Sequence, residues 1–460
     1  MLSPRRSLPA LLSTAVALLV AGTGYGEPKL AAGDKLDVRA RWESYLQLFR
    51  RTSMPGPYGV AVADSLAAPL YQYSSLRIDG LDAPWREDSI DVELGAWGSV
   101  ALDEAGPERR VDGDVTIASV RQKLGPGYVE LGRQLVTGGA ARLAHFDGVA
   151  AGVDLPLGLE LDAYGGLAVL PRWDGRPGYF LLGSAADAAL RFPDALPEPS
   201  REKNWLAGGR LRYAHSTYGQ IGASYHEQRT DGGLERRSLG LDLRATPLRD
   251  LVALSGQALL DGDAWTLADA RLALGVEPLS AVSLGAEYLH TTPALLLSRQ
   301  SVLSVFSLDP FDELGASAEY RPWPDLRLAF AGYAERLADG RPGARLVLGA
   351  RLAPRALPRL VVGAGYSRVR EAANGYHAPR LSLAYRLLGP VVLTADSYLY
   401  AYDAAIQGAG YSLVGAGNVE WTFIEGCAAL LGGSISRTPY AAAEAQVLAR
   451  LRVDLDWRRP

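Results

Sequence analysis

Apolar and polar residues alternate with period two along most of the chain, which is the signature of strands that face an apolar medium on one side and a polar one on the other. Over 36–48, Leu36, Val38, Ala40, Trp42, Leu46 and Leu48 share one face, while Asp37, Arg39, Arg41, Glu43 and Gln47 share the other. The same reading holds at 157–164, 239–244, 268–274 and 282–288. It returns at 345–352 (Leu346, Leu348, Ala350 and Leu352 against Arg345 and Arg351) and at 380–386 (Leu381, Leu383 and Tyr385 against Arg380, Ser382 and Arg386). The last such run sets Val447, Ala449, Leu451, Val453, Leu455 and Trp457 against Gln446, Arg450, Arg452, Asp454 and Asp456. These runs reach about ten residues or more, longer than strands of soluble sheets and sufficient to cross a bilayer at a tilt.

The connections between the runs are of two kinds. One set is short and proline-rich: Leu155-Pro156, Thr246-Pro247, Glu277-Pro278, Arg321-Pro322-Trp323-Pro324, Ala353 to Pro358 and Gly389-Pro390. The other set is longer or rich in Gly, Asp and Asn: 49–69, 102–112, 137–146, 170–204, 228–234, 291–311, 337–343 and 371–376. Short turns at one end and long loops at the other are how outer-membrane barrels are built, and counting on that basis gives about 22 antiparallel strands within a range of 16–22. Closure is required, because an open sheet edge in lipid would leave backbone N–H and C=O groups unpaired. The expected fold is therefore all-β, a closed antiparallel transmembrane barrel with an apolar skin and a charged, wet lumen.

Residues 1–26 carry Arg5 and Arg6, an apolar stretch from Leu8 to Ala21 and then small residues, so they are expected to be a cleaved secretory signal with 27–460 as one barrel domain. Alternation begins at Leu36, which leaves no room after cleavage for an N-terminal plug domain. The net charge of -4 argues against a nucleic-acid partner. The single cysteine, Cys427, and five scattered histidines argue against a disulfide framework, a haem or metal site and any resident cofactor. With 22 Tyr and 9 Trp against 8 Phe, amphipathic aromatics dominate, as expected for rings at membrane interfaces. The candidates for such girdles are Tyr71, Tyr73, Trp205, Tyr213, Tyr225, Tyr288, Trp323, Tyr366, Tyr385, Tyr400, Trp421 and Trp457.

Segment 128–152 ends a strand in Gly132-Arg133-Gln134, passes through a glycine-containing loop and returns at Phe146-Asp147-Gly148-Val149. Over these 25 or so residues it resembles the strand-loop-strand element of outer-membrane porin-like and alginate-export-type barrels. The resemblance implies a channel whose third loop folds inward, with Arg133, Gln134, Arg142, His145 and Asp147 at the constriction, and carries no substrate identity. The bland reading makes Arg133 and Asp147 strand-end charges at the membrane interface. Loop 170–204 is the second candidate to close the pore, being too long for a turn and carrying its own apolar residues.

No catalytic constellation stands out, and the chain is not expected to be an enzyme. His226 and Ser224 share a strand face but lack an orienting acid, and Asp91 with Glu93 is better read as pore-wall charge than as a metal site. Besides the loop residues, the expected lumen lining is Arg39, Arg41, Glu43, Asp91, Glu93, Glu160, Asp162, Arg210, Arg212, Asp242, Arg244, Asp269, Arg271, Arg450 and Arg452. Near-balanced signs predict weak ion selectivity. The expected function is an outer-membrane channel for diffusion or export of hydrophilic solutes, with outer-membrane lipids around it. The alternative is a sheath for a lumen-filling protein such as a periplasmic multihaem cytochrome; this chain has no Cys-x-x-Cys-His of its own. Trp457 is followed by Arg458-Arg459-Pro460, whereas outer-membrane strands often finish on an aromatic, which puts the assembly signal in doubt.

Overall fold

The computed structural model describes residues 36–53, 65–82, 89–102, 111–169, 203–215, 218–248, 251–296, 310–371 and 374–458. The expected signal segment and nearly all of loop 170–204 lie outside these residues. The strands are β1 (Asp37–Ser53), β2 (Ser65–Ala67), β3 (Pro69–Asp82), β4 (Ser89–Ala101), β5 (Val111–Leu124), β6 (Gly127–Gly138), β7 (Arg142–Leu155) and β8 (Leu159–Ala168). They continue as β9 (Trp205–His215), β10 (Gly219–Thr230), β11 (Gly233–Leu248), β12 (Val252–Asp261), β13 (Thr266–Leu279), β14 (Val282–Thr291), β15 (Phe311–Trp323) and β16 (Leu326–Leu337). The remainder are β17 (Pro342–Leu352), β18 (Leu360–Arg370), β19 (Gly375–Arg386), β20 (Val391–Ile406), β21 (Ala409–Ile424), β22 (Cys427–Thr438) and β23 (Ala441–Arg458).

β2 and β3 are one stave interrupted at Ala68, since both pair with β1, so 23 segments make 22 staves. From β3 onward each strand pairs antiparallel with the next, and β1 pairs with β23 from Asp37↔Arg458 to Ser53↔Ala441. The sheet is closed. The described helical segments are at most four residues long: two 3-10 turns, Gly139–Ala141 and Pro156–Gly158, and α1 (Pro293–Leu296).

Both described ends, Leu36 and Arg458, lie at the end of the barrel where the proline-rich connections turn. We call this the terminus side and the opposite end the loop side. Strand parity separates the two surfaces. On β15, Leu314, Ala316, Ala318 and Tyr320 face out while Glu313, Ser317 and Glu319 face in, and on β19 Pro379, Leu381, Leu383 and Tyr385 oppose Arg380, Ser382 and Arg386. Large apolar side chains are exposed all around the outside, among them Leu241, Leu314, Leu381 and Leu431 at 60–63%. A surface of this kind is stable against hydrocarbon, not water.

Most outward aromatics fall in two rings, with Trp42 and Phe330 between them. Tyr213, Tyr320, Trp323, Tyr385, Trp421 and Trp457 lie towards the terminus side, and Trp205, Tyr225, Tyr288, Tyr366 and Tyr411 towards the loop side. Eight residues separate Tyr213 from Trp205 and ten separate Trp421 from Tyr411. At ~3.4 Å per residue and ~40° tilt, that is roughly 21–26 Å of height, the thickness of an outer-membrane apolar band. Three expected girdle residues belong elsewhere: Tyr71, Tyr73 and Tyr400 take the inward parity. Tyr73 stacks edge-on with Tyr45 at 5.6 Å, and Tyr400 packs against Tyr376 at 5.6 Å. A count of Tyr against Phe cannot distinguish the two faces; register does.

Candidate functional site: a pore constriction

The lumen is narrowed by the hairpin of β6 and β7. The β5–β6 ladder stops at Ala118↔Arg133, whereas the β6–β7 ladder continues through five further pairs to Gly138↔Arg142, so the outer part of the hairpin leaves the wall. Gly132 makes the departure possible: its φ is +118°, and a Cβ there would lie 2.1 Å from the Ala118 carbonyl oxygen.

Leaving the wall strips backbone partners from β5, and the side chains of the hairpin replace them. Arg133 Nη1 donates to Val115 O at 2.8 Å and to Asp114 at 3.1 Å, while its Nε and Nη2 bind the two Asp147 oxygens at 2.7 and 3.0 Å. His145 Nε2 donates to Thr116 O at 2.7 Å. The Val115 and Thr116 carbonyls lose their ladder donors there, and these contacts supply new ones.

The other face of the hairpin packs on the barrel's inner surface. Phe146, fully buried, sits with Ala141, Ala144, Ala168 and Leu206, with Val136 and Tyr164 around them. The Tyr164 hydroxyl meets His226 Nδ1 at 2.9 Å. The tip, Gly139–Ala141, reaches β10–β13: Ala140 N donates to Ser224 Oγ at 2.8 Å, and Ala140 packs with Leu259 and Ala268. Gly240 is the floor beneath it, since a Cβ there would stand 2.6 Å from Ala140 N. Arg142 lies 3.8 Å from Asp269 across the lumen. The connection after β14 also turns inward: Leu295 and Leu296 of α1 pack on the tip cluster, and Arg236 donates to Leu296 O at 3.1 Å. Strands β7 to β13 are thus bridged on the concave face by a chord of chain.

Beyond the hairpin the wall is charged and internally paired. Arg39 binds Asp79 at 2.8 Å, Arg41 and Tyr45 both bind Glu43, and Lys123 lies 3.3 Å from Asp91. Arg212 pairs with Glu160, Arg210 with Asp242 at 2.6 Å, and Tyr128 donates to Asp162 at 3.0 Å. Arg271 meets Glu287 at 2.9 Å, Arg450 meets Glu420 at 3.2 Å, and Arg452 meets Asp454 at 3.0 Å. Glu93 and Arg244 share this parity. Lumen tyrosines interleave with the arginines: Arg345 lies over the Tyr333 ring at 4.1 Å and Arg380 over Tyr398 at 4.7 Å.

Four expected constriction residues are placed differently, among them His145, which shares the parity of Asp147 and bonds Thr116 O of β5. Arg133 and Asp147 take the parity of Leu131 and Val149, and clasp the hairpin to β5 instead of lining the pore. Gln134 points inward but is buried, its amide donating to Glu130 O and Gly148 O. Ser224 and His226 share a face as expected, yet their partners are the hairpin tip and Tyr164. The seat at Ser224 and Gly240 and the lumen tyrosines were not among the sequence candidates. Alternation could have marked the tyrosines, whereas no local signal marks the seat.

No protein-family model matches the chain, and no curated protein does either. Among solved structures the chain is similar to OccAB4 of Acinetobacter baumannii, at 8% identity and a TM-score of 0.42, covering 91% of this chain and 98% of that one. It is similar to OccK2 (OpdF) of Pseudomonas aeruginosa in complex with glucuronate, at 12% identity and 0.41, covering 91% and 98%. It is also similar to the P pilus usher (PapC) translocation pore, at 7% identity and 0.45, covering 90% and 99%.

Proposed function

We propose that this chain is a channel of a Gram-negative outer membrane through which hydrophilic solutes diffuse or are exported, and that it reaches that membrane behind the cleaved leader expected at 1–26. The observation that carries the reading is the combination of an apolar outer band, a wet charged lumen and a hairpin seated across part of that lumen. Solutes would pass on the side of the lumen lined by β14 to β23 and β1 to β5, opposite the seat of the tip. Most carboxylates there have an arginine or lysine beside them, so the field along the path is locally strong and weak in net sign.

A planar-bilayer recording on the purified mature chain tests this. Discrete conductance steps with little preference between small cations and anions are expected. A silent barrel that co-purifies with a haem-containing polypeptide would favour the sheath role and sink the channel. The hairpin already fills inner surface that a sheathed partner would need, which supports solute passage.

A further inference from the structure

The outward face is chemically different at its two rims. At the terminus side the outward strand positions between and beyond the aromatics are mainly apolar, Ile90, Val252, Leu326, Leu352, Val391 and Leu455 being representative, with Gln122 and His215 among the exceptions. At the loop side ionic residues stand just past the aromatic ring on β10–β11, β14–β16, β18–β20 and β22. Tyr225 donates to Glu227 at 2.5 Å; Glu227 in turn binds Arg229 at 2.8 Å and Arg237 at 3.1 Å. Tyr288 donates to Asp312 at 2.6 Å, with His290 at 2.9 Å and Arg336 opposite Asp312 in register. Arg368 binds Asp403 at 2.7 Å next to His377 and Tyr366, with Arg370 one step further out, and Arg437 lies over Tyr411 at 5.0 Å.

All of these take the outward parity, and each lies at the aromatic level or within about 10 Å of it along the barrel axis. Apart from the Arg133–Asp147 clasp, six arginines (229, 237, 336, 368, 370 and 437) face three carboxylates (227, 312 and 403) among the described residues at these outward positions. The carboxylates and tyrosine rings hold the guanidinium groups in place, and the excess of arginine leaves a positive belt facing sideways. Sideways at that height is where lipid head groups lie. Guanidinium suits phosphate, having several donors in a planar fork.

We propose that this belt is a docking surface for a phosphorylated glycolipid of the outer leaflet, whose sugar phosphates meet the Arg229–Arg237 and Arg368–Arg370 groups while its acyl chains lie on the leucines below. This rests on the membrane reading above, but not on conduction through the lumen.

The test is native mass spectrometry of the delipidated mature chain in detergent, titrated with diphosphoryl lipid A and, separately, with the same lipid stripped of both phosphates. The diphosphoryl form is expected to be retained and the stripped form released. Each arginine replaced by glutamine among Arg229, Arg237, Arg368 and Arg370 should weaken retention about fivefold, whereas Arg355→Gln, in a terminus-side turn, should leave it unchanged. Equal retention of both lipids, loss of retention with Arg355→Gln, or displacement of the lipid by equimolar inorganic phosphate would each overturn the proposal. The comparison between the two lipids needs no variant, so it stands even if a substituted chain fails to fold. A barrel that retains the lipid but does not conduct would overturn the channel reading and leave this one intact.

Discussion

Arg133 shows how a charged residue can act structurally in a barrel. Its guanidinium holds two carboxylates and a backbone carbonyl at the point where β6 parts from β5, with its side chain only 14% exposed. Arg133→Ala would leave Asp114 and Asp147 facing each other and Val115 O without its donor. Because Asp147 is partly solvated and screened, the expected cost is roughly 1–3 kcal/mol, which Arg133→Lys would not recover since lysine lacks the bidentate fork. The measurement is the temperature at which the folded band disappears on a heat-modifiable gel. In bilayers the same variant should show more frequent conductance fluctuations with unaltered ion selectivity, as a loosened clasp does and a removed pore charge does not.

At the scale of the element, the hairpin behaves as a docked strut with one polar anchor and one steric floor. Ser224→Ala removes the acceptor for Ala140 N and should shift the docked-to-undocked equilibrium by about 1 kcal/mol, about fivefold, towards the open form. Gly240→Val should go further, because its side chain occupies the place of the tip backbone. Both are expected to raise single-channel conductance, and unaltered conductance in Gly240→Val would mean that the hairpin does not limit flow. The inward fold of the glycine-containing loop in this segment was implied only by the resemblance of 128–152 to porin-like barrels. Its landing place was not legible in the sequence, because Ser224 and Gly240 lie about 85 and 100 residues further on and read locally as ordinary strand positions. The roles of Arg133 and Asp147 were hidden for a related reason: only the end of the β5–β6 ladder turns two apparent pore charges into a clasp.

For the whole molecule, period-two alternation and the alternating connection types carried most of the information, and the expected 22 staves are the 22 observed. The alternation was readable because hydrocarbon outside and water inside impose opposite chemistry on successive residues. The lumen tyrosines escaped because tyrosine suits both places. A β-dominated circular dichroism spectrum and heat-modifiable migration are expected of the mature chain. Deleting 441–460 should abolish both the compact band and conduction, because it leaves β1 and β22 as open edges in lipid.

The seam between β1 and β23 also sets the order of events in assembly. Its partners, Asp37 and Arg458 at one end, are 421 positions apart, while every other pairing in the wall is between neighbours in the chain. β1, which precedes the other described strands in the chain, is therefore the last to be satisfied on that edge. Until the eighteen residues of β23 are delivered, β1 is a ready template for any passing strand, including β1 of a second copy. Something must hold it during that wait, and the time a nascent copy spends unsealed grows with the length of chain still to arrive.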